Sequence, residues 1–136
     1  MRKTPTALMG LALATALATG ANAKTPLRDV PAIDDNMLWV ALAIEISDKC
    51  AVIDARTFRG LAYLNSLKNK AQDLGYSNDE IRSYVKSDTE KARMRKRGEK
   101  FMRTKGLNPE SDADLCALGK AEIARGSVIG SLLKAR

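Results

Sequence analysis

Met37 to Ile46 reads Met-Leu-Trp-Val-Ala-Leu-Ala-Ile-Glu-Ile, apolar at nine of ten positions and interrupted only by Glu45. A helix that is apolar on every side has no face to give to water, so it must be surrounded by the rest of its domain. Trp39, Leu42 and Ile46 fall along one side of such a helix, with Cys50 a further turn on. Asp34, Asp35 and Asn36, just upstream, offer N-cap oxygens and negative charge suited to a helix start. The segment is therefore expected to be the central helix, with the remaining elements packed around it.

What surrounds it is limited in size. The chain has 136 residues, which suits one small domain. Residues 1–23 read as a secretory signal peptide. Arg2 and Lys3 supply the positive start, Ala7 to Ala18 an apolar stretch of 12 residues, and Ala21-Asn22-Ala23 a small-x-small cleavage site. A membrane anchor is the competing reading, but a bilayer span needs about 20 apolar residues. The mature chain, Lys24 to Arg136, is then exported to the periplasm or beyond, and it holds no segment of spanning length.

Its two cysteines, Cys50 and Cys116, both lie in the mature part. An even count in an oxidising compartment favours a disulfide over two buried free thiols or a reactive thiol. The reactive-thiol reading is weakened further because the chain has no histidine and no Cys-x-x-Cys. The missing histidine also excludes Ser-His and Cys-His nucleophile pairs and imidazole metal sites.

Around the central segment the pattern is helical throughout. Residues 24–33 begin with two prolines and alternating charges and are expected as an extended lead-in. A helix over Ala55 to Leu74 carries Leu61, Leu64, Leu67, Ala71 and Leu74 as one apolar stripe, with Arg59, Lys68 and Asn69 toward water. Gly75 occupies the left-handed position after it. Ser77 to Glu80 fits a capping box, with Tyr76 and Ile81 at the staple positions around it. A short helix over Asn78 to Lys86 follows, then a basic helix over Thr89 to Lys105 ending at Gly106. Met102 and Leu107 stand there at the positions that touch in a Schellman ending. Asn108-Pro109 is expected to open the last helix, which carries Leu115, Cys116, Leu118 and Ile123; Gly126 and Gly130 either break it or permit close helix contact. No strand pattern or repeat appears. The expected fold is all-α, a compact array of about five helices in a single domain over residues 24–136, with one disulfide.

Charge singles out one element. The mature chain has 21 basic and 16 acidic residues, a net +5. Between Lys91 and Lys105 eight basic residues face one acid, Glu99, so that window carries +7 and the remainder −2. Arg93, Arg97, Lys100 and Lys96 are expected along one exposed side of the helix, with Arg95 and Arg103 nearby. Such a ridge attracts anionic partners: lipid headgroups, lipopolysaccharide, wall acids, an acidic protein, or extracellular DNA. The competing reading is a solvated face that keeps the protein soluble. An inhibitor, immunity or chaperone-like role through an apolar groove is a different class of binding.

Catalytic signals are thin. Glu45, alone in the most apolar segment, is a candidate general acid if desolvated, with Glu122 as a partner carboxylate for hydrolysis of an envelope polymer. Lys49, at i+4 from Glu45, supports an ordinary helix pair instead. Ser83 to Lys86 matches S-x-x-K, yet the companion motifs of that enzyme family are absent. With no phosphate loop and no EF-hand pattern, neither a cofactor nor a metal is expected, and a non-enzymatic binding module is the leading expectation.

The stretch Met37 to Ile46 with Cys50, the run Gly75 to Arg82, the Glu90 to Arg97 segment, and Leu107-Asn108-Pro109 followed by Asp114-Leu115-Cys116 together resemble a small exported alphaproteobacterial family that carries only a domain-of-unknown-function label. The resemblance spans about Thr25 to Lys134. It implies a periplasmic helical domain with the two cysteines paired, and it implies no activity, ligand or catalytic residue.

Overall fold

The computed structural model describes residues 23–136. The expected leader, apart from Ala23, lies outside the described residues. In chain order the elements are α1 (Pro31–Lys49), β1 (Ile53–Ala55), α2 (Thr57–Asp73), α3 (Asn78–Lys86), α4 (Asp88–Thr104), α5 (Asp112–Arg125), α6 (Val128–Ser131) and β2 (Leu133–Ala135). The protein is mostly helical, and α1 is its axis: α2, α4, α5, α6, β1 and the segment preceding α1 all pack against it. Leu38, Leu42 and Ile46 of α1 meet Met94 and Met102 of α4, Leu115 and Leu118 of α5, and Ile129, Leu132 and Leu133 near the C-terminus. A second, smaller cluster joins Leu27 and Ile33 to Ala71 and Tyr76. No helix among the described residues is long and apolar enough to cross a membrane.

Helix boundaries follow local chemistry. Ser77 and Glu80 form the expected capping box, and Ile81 packs against the cluster holding Tyr76. The expected Schellman ending of α4 is present, with the Leu107 amide donating to the Met102 carbonyl at 3.0 Å and Gly106 at φ 73°. The disulfide joins Cys50 at the end of α1 to Cys116 on α5, with Cα atoms 5.2 Å apart across 66 residues of chain. Closing a loop of that length is worth about 4 kcal/mol in the chain-entropy account.

Five expectations are corrected. The lead-in is not extended. Leu27–Asp29 forms a 3-10 turn with Leu27 buried, and α1 begins at Pro31, whose fixed φ and missing N–H suit the first helical position. Asp34, Asp35 and Asn36 therefore lie inside α1 rather than capping it. The last long helix begins at Asp112, not at Asn108-Pro109. Ser111 accepts from the Asp114 amide at 3.2 Å, while the Asp114 carboxylate accepts from the Asn108 amide at 2.7 Å, so the Asn-Pro pair is held as a turn. Two three-residue strands pair antiparallel, Ile53 opposite Ala135 and Ala55 opposite Leu133, in runs too short to show alternation. Finally, Leu61 and Leu74 of the α2 stripe are 58% and 51% exposed, because Leu67 and Ala71, with Tyr63 and Leu64, are the residues that turn inward.

After α5 the chain reverses at Gly126, and Ser127 caps the single turn of α6. A Cβ at Gly130 would sit 2.0 Å from the Glu122 carbonyl oxygen, so glycine is what lets α6 lie directly against α5.

Candidate functional site

The basic helix, α4, is held to the core by Met94, Gly98 and Met102, spaced four apart on one stripe. Gly98 admits Leu42 of α1, whose Cδ2 would lie 3.2 Å from any added Cβ. That stripe sets where the cations point, and it divides the six expected anion-binding residues into two groups.

Arg93 and Arg97 turn inward. Both reach Asp34 in the first turn of α1, a carboxylate only 3% exposed. Arg93 grips it with two nitrogens, Nη1 donating to Oδ2 at 3.0 Å, and Arg97 donates to the same oxygen. The Tyr84 hydroxyl of α3 donates to Asp34 Oδ1 at 2.6 Å. The cluster continues outward: Arg97 donates to Asp35 at 2.6 Å, and Arg93 donates through Nε to Glu90 at 2.7 Å, where Arg28 also pairs. Burial alone would push the Asp34 carboxyl up, but hydrogen bonds from Arg93 and Tyr84 and the charges of Arg93 and Arg97 hold it below the usual carboxylate range. Burial, with the Asp34 hydrogen bond and charge, pushes the Tyr84 phenol up. This cluster ties α1, α3 and α4 together and leaves little of either guanidinium for a ligand.

Arg95, Lys96 and Lys100 face solvent, Arg95 on the rim of the groove between α1 and α4. All three are exposed, and among the described residues no carboxylate lies within ion-pairing distance of them. Arg103 is also exposed but shares an ion pair of 3.4 Å with Glu99 one turn back. The expectation that Arg93 and Arg97 share one exposed side with Lys96 and Lys100 is thus corrected. The physical reason is the buried Asp34, which draws the two arginines off that side.

Beside α4 runs an open groove of about 750 Å³ between α1 and α4, lined also by Tyr84 and Val85 of α3 and by Pro109 and Glu110. Met37, Val40, Ala41 and Ile44 of α1 face Met94 and Met102 across its floor. Ile44 is 52% exposed, so the central helix is not enclosed on every side. Asp48 and Glu110 line the groove with no cation within ion-pairing distance among the described residues.

A family model described as a family of unknown function, DUF5333, matches residues 25–134. The chain belongs to the DUF5333 family. No curated protein and no solved structure matches it. The matched span takes in every helix of the DUF5333 domain, the disulfide and the Asp34 cluster.

In this DUF5333 chain the two carboxylates weighed for catalysis stand in different surroundings. Glu45 is partly exposed on the groove wall and pairs with Lys49 at 3.8 Å. Glu122 does not line that groove. It is 1% exposed and pairs with Arg125 at 2.6 Å and Lys105 at 3.7 Å. Burial works to raise its pKa, but Arg125, the Ser127 hydroxyl and Lys105 hold it below the ordinary value. Ser83 and Lys86 are exposed on α3.

Sequence reasoning gave Asp34 a place at the start of the helix and missed it as the shared partner of Arg93 and Arg97. The spacing of Arg93 and Arg97 at i and i+4 placed both on one side of α4. Their shared partner lies 59 and 63 residues away, and no local pattern points to it.

Proposed function

We propose that this DUF5333 protein is an exported, non-enzymatic binding module that contacts an anionic component of the cell envelope through the outer ridge of α4. The observation that carries the reading is the division of the basic helix: Arg95, Lys96 and Lys100 are exposed and unpaired among the described residues, while Arg93 and Arg97 are engaged by Asp34. Three exposed cations on neighbouring turns, with no ion pair among the described residues, create a local positive potential that steers polyanions and weakens with salt. Arg103 adds to the ridge when a ligand competes with Glu99. Export rests on the composition of the leader, and periplasmic residence fits the closed disulfide.

The test is binding of duplex DNA, used as a soluble polyanion, at low and physiological salt. The comparison is with a variant carrying Arg95→Gln, Lys96→Gln and Lys100→Gln. The reading expects binding that weakens with salt and disappears in the variant, while its helical CD spectrum is unchanged. Equal binding by both proteins would end it.

A second reading, as an inhibitor, immunity or chaperone-like protein, is favoured by the groove. Its methionine-rich floor suits an adaptable apolar contact, and Asp48 and Glu110, without an ion pair among the described residues, suit a partner segment that is cationic at its edges. Ile44→Glu would abolish capture of such a segment and leave DNA binding intact.

A further inference from the structure

A second surface lies on α2 and differs in kind from the ridge of α4. Leu67 and Ala71 turn α2 toward the core. The opposite side, Phe58, Ala62, Asn65 and Asn69 at helical spacing, is exposed throughout. Phe58 is 89% exposed, the most exposed large apolar side chain of the described residues, and Leu61 beside it is 58% exposed. From Arg56 to Gln72 there is no acidic residue, while Arg56, Arg59, Lys68 and Lys70 flank the uncharged strip. No carboxylate pairs with any of these four among the described residues. The start of the helix is firmly placed. The Arg56 amide donates to the Leu132 carbonyl at 2.8 Å, and Arg59 Nη1 donates to the Ser131 carbonyl at 3.3 Å.

We propose that this face of α2 docks on an anionic bilayer surface, with Phe58 and Leu61 entering the headgroup boundary and Arg56, Arg59, Lys68 and Lys70 meeting lipid phosphates. The occupant follows from the pairing of the two features. A soluble polyanion satisfies the cations but leaves Phe58 in water. A bilayer surface takes both at once, since apolar side chains gain by entering the interface and flanking Lys and Arg gain from anionic headgroups. The ridge of α4 has no comparable exposed aromatic, so the two surfaces suit different ligands. The proposal stands on residues separate from the α4 reading, and either can fail alone.

Co-sedimentation of the purified protein with phosphatidylglycerol-rich vesicles, against phosphatidylcholine vesicles, tests it. Preference for the anionic vesicles is expected. Phe58→Ser should weaken binding about tenfold or more, and Lys68→Gln with Lys70→Gln about fivefold per charge removed. Phe58, Lys68 and Lys70 are solvent-facing, so an unchanged CD spectrum is expected in both variants. The Arg95, Lys96 and Lys100 variant should keep both the preference for anionic vesicles and the sensitivity to Phe58→Ser, whatever affinity its own three charges supply. Equal binding to both vesicle types, no binding, binding unchanged by Phe58→Ser, or loss confined to the α4 variant would each overturn the proposal. So would a concentration-dependent dimer in sedimentation that Phe58→Ser dissolves, because the face would then be covered by a second copy of the chain.

Discussion

Replacing Asp34 by Asn keeps the shape of the side chain and removes its charge. Asp34 is 3% exposed and receives Arg93, Arg97 and the Tyr84 hydroxyl, so the substitution leaves two guanidinium groups facing a neutral amide. Breaking a buried ion pair by removing one partner costs about 3–5 kcal/mol. Here the arginines are 26% and 32% exposed and keep Glu90 and Asp35, which brings the expected loss down. A loss of about 2–3 kcal/mol is expected. For a domain of this size that lowers the melting temperature by about 8–12 °C. Urea unfolding followed by CD measures it, and a loss below about 0.5 kcal/mol, the scatter of surface substitutions, would refute the buried-network argument. The sign of the pH dependence is also fixed. The folded-state pKa of Asp34 is lowered, so its contribution is fully present above the unfolded carboxylate value of about 4 and is lost as pH falls through the folded value. Asp34→Asn should therefore flatten the acid limb of the stability profile and leave the neutral region parallel to wild type.

Three further outcomes are expected. Intact mass should show two hydrogens fewer than the reduced chain, with no thiol labelled after denaturation; reduction should lower stability by up to about 4 kcal/mol. Gly130→Ala drives a methyl into the Glu122 carbonyl, and since that contact is backbone the cost should reach about 1–3 kcal/mol in the same urea assay. Glu122→Gln should lose stability at neutral pH and narrow the gap to wild type as pH falls, because burial would raise this carboxyl but Arg125, Ser127 and Lys105 hold it low.

What the sequence disclosed was mainly what local chemistry decides. The capping box at Ser77, the glycine endings at Gly75 and Gly106, and the central position of the Met37 to Ile46 segment are set by residues within a few positions of one another. The errors arose where two local signals compete or where tertiary partners decide. Ser111 with Asp114 outcompeted Asn108-Pro109 for the start of α5, and Pro31 started α1 before the acidic cluster that looked like its cap. The short strands bring Ile53 and Leu133 into the core beside Gly119 of α5, a tertiary placement no three-residue pattern reveals. The basic run was legible as a helix and as a concentration of charge. Its division into structural and outward cations was not, since the deciding carboxylate sits on α1.

The division of α4 is tested most directly by the salt dependence of binding to duplex DNA. Each phosphate contact contributes a slope of about −0.9 to the log of the binding constant against the log of salt concentration. Changing Arg95, Lys96 and Lys100 to Gln should make the slope shallower by about two to three, with urea stability held near wild type. An unchanged slope, with the variant folded, would contradict the account and leave the outer ridge of α4 as a solvated surface.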